Sequence, residues 1–408
     1  MSLRLRSKRD WGRLDMRFNL WEDCNRVPLT ELLSFIVDNR GKTVPTAPSG
    51  HKLIATNCVT NNTLFPVYDK IRYLSEETYQ TWFRAHPIPG DILFVNKGTP
   101  GRVCLVPDPV DFCIAQDMIA LRADESKIYP KYLFTVLRSR EIQQQIYNTN
   151  VGDVIPHFKK QFLDQLLIPI PERSIQESIG DLYYVLSLKA ERNKKINDNL
   201  LDQAQTLYKQ HFPYSVQDDL PDGWRIGTVG EIIEIHDSKR IPLSGADRMK
   251  MEKKIYPYYG AASLMDYVDN YIFDSKYLLL GEDGTVVDDA GYPILQYVWG
   301  QFWVNNHAHI LTGRLGFNVE SLYMLFKQTP VKSIVTGAVQ PKISQANLRS
   351  VQVVIPPEHN LKEYNDLVEP LFSLLRANEE ECKSLAALRD TLLPKLMSGE
   401  IDVSAVQL

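Results

Sequence analysis

Residues 152–171 read GDVIPHFKKQFLDQLLIPIP, and residues 337–356 read GAVQPKISQANLRSVQVVIP. Gly152/Gly337, Val154/Val339, Pro156/Pro341, Leu163/Leu348, Ile170/Ile355 and Pro171/Pro356 match at one offset of 185 residues, without a gap. A period of that length is too long for a solenoid, so a whole domain plus a helix is duplicated. Upstream, DILFVNKGT (91–99) faces KYLLLGEDG (276–284), and FCIAQDMIAL (112–121) faces FWVNNHAHIL (302–311). YLFTVL (132–137) faces LYMLFK (322–327) as a helix after a strand, and GKTVP (41–45) faces SKRIP (238–242). The offset drifts because insertions collect in loops. Each copy therefore reads as a mixed α/β unit of short strands and one or two short helices, about 140 residues long.

A long helical pattern follows each copy. Ile175, Ile179, Leu182, Leu186, Lys189, Asn193, Ile196, Leu200, Gln203 and Leu207 alternate four and three apart, which is a heptad seam. Tyr364, Leu367, Leu371, Leu374, Asn378, Glu381, Leu385, Leu388 and Leu392 repeat it. Each apolar seam needs a partner, and the other helix supplies one. The polar positions Lys189, Asn193, Asn378 and Glu381 sit mid-seam, so antiparallel pairing brings middle to middle, and a Lys189 to Glu381 contact sets the register at some cost in stability. A solvated stretch framed by apolar residues is the competing reading. The fold class expected is α+β: two similar mixed α/β domains separated by two long antiparallel coiled-coil helices, related by a pseudo-twofold internal repeat. The segments are an N-terminal extension (1–26), a first domain (27–172), a central helix (173–212), a second domain (213–357), and a C-terminal helix with its tail (358–408). At 1.5 Å per residue the first seam gives a rod of about 50 Å, longer than one ~34 Å turn of B-DNA. Replacing Lys189 and Glu381 together by Leu is expected to raise stability or let the register slip, and an unchanged crosslinking pattern would contradict a register role.

Composition bounds the function. The 408 residues are 44% hydrophobic and 24% charged, a globular balance for about two to three domains. No run of about 18 uncharged apolar residues occurs, so a membrane span is not expected. The basic start, MSLRLRSKRDWGR, lacks a signal peptide's apolar core, and a cytoplasmic location is expected. Cys24, Cys58, Cys104, Cys113 and Cys382 form no C-x-x-C pair and read as reduced thiols. The net charge of −4 speaks against nucleic acid only superficially, because residues 358–402 carry −5 and leave the remainder at +1.

Signatures of catalysis are sparse. Gly41-Lys42-Thr43 ends like a phosphate loop, but Ile36 stands where a glycine is needed. His307 and His309 face Asp117 and Ile119 of the other copy, which disfavours a shared metal site; one histidine is expected to face the core and the other a ligand. Glu282-Asp283 with Asp288-Asp289 is a carboxylate cluster of the kind that holds nuclease metals, yet Gly281 and Gly284 make it a hairpin tip. Its counterpart is Asn96-Lys97-Gly98, and tips of different charge on matching scaffolds suit two binding specificities. No G-x-S-x-G, G-x-G-x-x-G or H-E-x-x-H motif occurs, nor an N/D/S-P-P-Y/F motif for a flipped base, so no catalytic residue and no metal is assigned.

The tail LLPKLMSGEI (392–401), with GAVQPKIS (337–344) and VVIPP (353–357), resembles the specificity subunits of type I restriction–modification systems, and the resemblance spans both repeats. It implies a DNA-binding specificity subunit without catalysis, each target recognition domain reading one half of a bipartite sequence on double-stranded DNA. The helices would set the unread spacer and dock two methyltransferase subunits, with restriction and translocase subunits joining. Cofactors, S-adenosylmethionine, ATP and Mg, would belong to those partners and none to this chain. The candidates for DNA contact are Lys42, Lys97, Arg102, Lys159 and Lys160 in the first domain. In the second they are Lys239, Arg240, Arg248, Lys250, Gln340 and Lys342, with Tyr258 and Tyr259 to stack or bond phosphate. A non-catalytic protein-interaction scaffold with a coiled-coil rod is the alternative, and a nuclease built on Glu282 a third.

Overall fold

The computed structural model describes residues 19–39, 41–149, 156–337 and 339–401. The chain forms two compact units. One runs to Lys194 and resumes at Glu379, and the other is Lys195–Asn378.

In the first unit a four-stranded antiparallel sheet has the order Leu33–Val37, Met118–Ala123, Ile92–Val95, Val103–Leu105. Ile92, Phe94, Ile119 and Leu121 pack beneath the helix Pro130–Leu137. Leu93, Val95, Met118 and Ala120 face the other way, onto Ile54, Phe112 and Ile114 of a smaller sheet. Covering both faces is why these strands are apolar runs and not alternating ones. The smaller sheet orders Arg72–Leu74, His51–Ile54, Phe112–Ile114, the last two parallel. Asn25–Pro28 pairs with Leu167–Ile170 to close the unit.

The second unit repeats this topology. Its main sheet orders Ile233–Ile235, Ala308–Gly313, Tyr277–Gly281, Leu295–Val298. Its smaller sheet orders Leu264–Val268, Tyr256–Tyr259, Gln301–Val304, Phe273–Asp274, again with one parallel pair, and Arg225–Thr228 closes on Gln352–Ile355. The registers align the copies residue by residue. Val95 pairs with Met118 where Gly281 pairs with Ala308, so Asn96 corresponds to Glu282 and Lys97 to Asp283, one residue beyond the ungapped sequence match. The first unit also has a helix, Arg140–Thr149, whose place in the second is taken by the short turn Lys332–Ile334.

The two long helices are Arg173–His211 and Glu358–Met397. They are not bodies separate from the domains, because each unit contains part of both. Gly180 brings the first helix against Pro130–Leu137 so closely that a Cβ there would lie 2.6 Å from the Tyr132 nitrogen. In the first unit the helices run antiparallel, with the Cys382 thiol on the Ala190 carbonyl and Arg389 over the Tyr183 ring. In the second, the Tyr364 hydroxyl donates to the Ala204 carbonyl at 3.0 Å, and Asn378 Nδ2 donates to Asn197 Oδ1 at 2.8 Å.

The seams differ from the sequence reading in one systematic way. Ile179, Asn193 and Leu200 are buried as expected, but their alternates are Gln176, Tyr183, Asn197 and Ala204, each one residue later than anticipated, and Ile196 is exposed. Likewise Tyr364 and Asn378 are buried, while Val368, Leu375 and Arg389 displace Leu367, Leu374 and Leu388, all about half exposed. Small and polar side chains fill the true seam, so hydrophobicity selected the neighbouring row. The expected Lys189 to Glu381 contact is present at 3.1 Å beside the seam, with Asn193 Nδ2 donating to Glu381 Oε2 at 2.6 Å. Glu381 is held below the ordinary carboxylate range by its bonds from Asn193 and Lys189.

Asn378→Ala removes the donor to the buried Asn197 Oδ1, while Asn197 Nδ2 keeps its bond to the Leu375 carbonyl, so denaturant unfolding should show a loss of about 1–3 kcal/mol. Converting Asn197 and Asn378 together to Leu should restore most of it, because apolar side chains then replace both buried amides.

Candidate nucleic-acid interface

In each unit the main-sheet hairpin ends in a tip stitched to the loop that precedes the closing strand. In the first, Lys97 bridges His157, with the Gly98 nitrogen on the Pro156 carbonyl at 2.9 Å and the Phe158 nitrogen on the Asn96 carbonyl at 2.8 Å. In the second, Asp283 bridges Lys342, with the Gly284 nitrogen on the Pro341 carbonyl at 3.0 Å and the Ile343 nitrogen on the Glu282 carbonyl at 2.8 Å. The two stitches are the same device carrying different side chains.

At the first tip Lys97, Arg102 and Lys159 are exposed and carry no ion pair among the described residues, while Lys160 is paired with Asp38. Arg102 is set beside the tip by its carbonyl, which accepts from the Val95 nitrogen at 2.9 Å. Lys42 is exposed on the loop after Leu33–Val37. The stitch brings Lys97 to His157, and so places Lys97, Arg102, Lys159 and Lys160 on neighbouring loops. The residues 150–155 between them lie outside the described set.

The second tip rests on a buried charge network. Arg240, its side chain 13% exposed, donates to Glu282 at 2.6 Å and to the Ala308 carbonyl at 2.8 Å, and lies 3.4 Å from Asp237. His309 is fully buried, with Nδ1 2.6 Å from Asp237 and Nε2 2.8 Å from the Ile343 carbonyl. Gln345 donates to Asp237 at 2.7 Å, and Lys342 stands 3.2 Å from Glu282. Burial alone would raise the Asp237 carboxyl. The hydrogen bond and charge of His309, the Ile310 amide and Arg240 outweigh it and hold the group below its ordinary value. Burial likewise opposes ionisation of Glu282, and Arg240, His309 and Lys342 reverse the balance.

Several sequence expectations need correction. Arg240 is engaged inside the protein by two carboxylates and a carbonyl, which makes it a support for the tip instead of an open phosphate contact. Tyr258 is 2% exposed, with its hydroxyl within hydrogen-bonding distance of the Leu243 backbone and Arg248 over its ring, so it is closed to a stacking base. Arg248 is itself paired with Asp266 at 3.1 Å. Tyr259 is half-buried, edge-on to Phe302; Lys239, Lys250 and Gln340 are exposed. His309 is the core-facing histidine, whereas His307 is partly exposed and bonded to Asp283.

Asp237, Glu282 and His309 each offer a ligand atom within 4.8 Å of the others. Their oxygens are already claimed by Arg240, Lys342, Gln345 and the Ile310 amide, so the guanidinium supplies the positive charge that a metal would bring. Glu282 turns inward to Arg240 while Asp283 turns to His307, so the adjacent acids do not converge. Sequence reasoning missed Asp237 and the role of His309; the only signal was the spacing of Asp237 and Arg240 within HDSKR.

The family model for the type I restriction modification DNA specificity domain matches twice, over residues 34–201 and 221–386. The chain belongs to this family. Each specificity-domain match takes in one stitched tip and part of the long helix that follows. The chain is 21% identical over 346 residues to the type I restriction enzyme MjaIX specificity subunit of Methanocaldococcus jannaschii, covering 77% of this chain and 78% of that one. It is 31% identical over 127 residues, 31% of its length and 32% of the relative's, to a putative type I restriction enzyme specificity subunit of Haemophilus influenzae. In fold it is similar to the S subunit of a type I restriction–modification system from M. genitalium, with a TM-score of 0.55 and 18% identity, covering 93% of this chain and 98% of that one. No helix among the described residues is long and apolar enough to cross a membrane.

Arg240→Ala should destabilise the second unit by about 3 kcal/mol, because it leaves two buried carboxylates short of a cation. Asp237 and Glu282 have lowered folded-state values, so their contribution is complete above the ordinary carboxylate range and is lost as pH falls below it. Thermal unfolding followed from pH 6 to pH 3 should show the unaltered protein losing stability below about pH 4.5, with a shallower dependence in Arg240→Ala.

Proposed function

We propose that this chain is the DNA-reading subunit of a type I restriction–modification complex, each unit reading one half of a bipartite sequence on double-stranded DNA. One observation carries the reading: two specificity domains share one stitched tip, and the tips differ in charge, Asn96-Lys97 against Glu282-Asp283. A common scaffold fixes where a tip sits, and differing side chains on it alter which base edge is matched. Lys42, Lys97, Arg102, Lys159 and Lys160 are the proposed first-unit contacts. Lys239, Lys250, Gln340 and Lys342 are the proposed contacts of the second, with Arg240 acting from behind the tip. The exposed Leu367, Leu374 and Leu388, seven and fourteen residues apart on one helix, support docking of two methyltransferase subunits there. Methyl transfer belongs to those subunits, restriction and translocase subunits complete the assembly, and the complex works in the cytoplasm. Lys189, Asn193, Asn378 and Glu381 set the register of the helices and so the length of the unread spacer.

Co-expression with the methyltransferase subunit and sequencing of modified bases in the host DNA should reveal a bipartite adenine-methylated motif that disappears when this chain is deleted. A stable complex that leaves no motif would instead mark a protein-interaction scaffold. In the purified complex, Lys97→Ala and Lys159→Ala should each weaken binding to all sequences and reduce the slope of log affinity against log salt by about 0.9.

A further inference from the structure

His307 stands at the second tip with its ring bonded to Asp283, outside the buried network of Arg240. The backbone that carries it is tied down on several sides. The Asn305 nitrogen donates to the Tyr259 carbonyl at 3.0 Å, and the His307 nitrogen donates to Asn305 Oδ1 at 2.8 Å. The His307 carbonyl accepts from the Glu282 nitrogen at 2.8 Å, and Arg240 donates to the carbonyls of Asn306 at 3.2 Å and Ala308 at 2.8 Å. Asp283 is fixed in turn by its bridge to Lys342. The ring therefore sits on a rigid turn, and a carboxylate on a rigid tip holds one of its nitrogens.

That bond decides what the ring offers. A carboxylate only accepts, so Nδ1 carries the proton, and in a neutral imidazole the other nitrogen, Nε2, is then an acceptor. The side chain is 44% exposed, and Nε2 has no partner among the described residues. His309, two residues on, is the internal contrast: it is fully buried, and Asp237 and the Ile343 carbonyl engage both of its ring nitrogens. The first unit has the same backbone with other side chains. Asp117 stands where His307 does and Lys97 where Asp283 does, and the Asn96 nitrogen donates to the Asp117 carbonyl at 3.1 Å as Glu282 does to His307. One copy carries a lysine on the tip and an acid on the turn; the other carries an acid on the tip that orients an imidazole on the turn. A scaffold that reads two sequences must differ where it discriminates, and donors and acceptors exchange places at this pair of positions.

Resting on the DNA-reading function above, we propose that His307 is a specificity-determining residue of the second unit and that Asp283 is its positioning residue. The Nε2 lone pair accepts from an exocyclic amino group in the major groove, adenine N6 or cytosine N4, and repels the carbonyl oxygen that guanine or thymine places there. Asp283 touches no base. It fixes the tautomer and direction of the ring, and so decides whether the ring accepts or donates.

The test uses the full chain co-expressed with its methyltransferase subunit, and reads the methylated motif of each variant by sequencing of modified bases. The unaltered chain should restrict one position of one half-sequence to adenine, cytosine or both. His307→Ala should lower discrimination at that position by about tenfold and leave the other half intact. Asp283→Asn can offer Nδ1 a donor, which moves the ring proton to Nε2, and should shift the same position toward guanine or thymine; an acid with a merely structural role would lower methylation without changing the preference. Asp283→Asn added to His307→Ala should alter the motif no further, because the acid works through the ring. The inference is overturned if His307→Ala leaves every position as restricted as before, or if Asp283→Asn leaves the preference at that position as it was. His307→Gln, which keeps a polar side chain on the turn, should assemble and still alter that position. Failure of both His307 variants to assemble with the methyltransferase subunit would make the ring a structural residue and overturn the inference too. Absence of any motif with the unaltered chain would instead defeat the DNA-reading function itself.

Discussion

The stitch between each hairpin tip and the loop before the closing strand is the constraint from which the candidate interface follows. A hairpin tip alone is mobile, because its backbone groups have no ladder partner beyond the last strand residue. Here the Asn96 and Glu282 carbonyls and the Gly98 and Gly284 nitrogens find partners in the loop before the closing strand, about 60 residues further along the chain. The main sheet can hold that tip firmly because it is buried on both faces, against a helix on one side and a smaller sheet on the other. Side chains on such a tip are presented in fixed directions, which base recognition requires.

Different tips need different support. In the first unit one ion pair, Asp38 with Lys160, spans the base of the tip. In the second, Asp237 and Gln345 occupy the corresponding places, and Glu282 and His309 stand where Asn96 and Ile119 do. Two carboxylates in so dry a place would be costly alone, since burial opposes their charge. Arg240, Lys342 and His309 reverse that cost, so the network is a condition for carrying an acidic tip. The same engagement explains why Arg240, an attractive phosphate ligand by sequence, is spent inside the protein.

The duplication was legible because glycine and proline positions and the apolar ends of the closing strands must be kept for the stitch to form. The mixed α/β character and the two long helices were equally legible from their periodicities. Side-chain direction was not. Many positions of both heptad rows were read one residue early, because Ile196 and Leu374 are apolar but exposed whereas Asn197 and Ala204 fill the seam. Tyr258 looked available in a polar stretch, and only the packing of Arg248 and Leu243 around it shows that it is closed. Asp237 gave no local signal beyond its spacing from Arg240, since its other partners, His309, the Ile310 amide and Gln345, lie up to 108 residues away.

The central claim is that two copies of one scaffold read two halves of a target, with the sequence set by what each copy displays. It is tested most directly by a chain in which residues 34–171 are also placed where residues 234–356 stand, co-expressed with the methyltransferase subunit and read by sequencing of modified bases. The account predicts a motif in which the first half-sequence appears on both sides of the spacer and the original second half is gone. Retention of the original asymmetric motif by the folded chimera would contradict it.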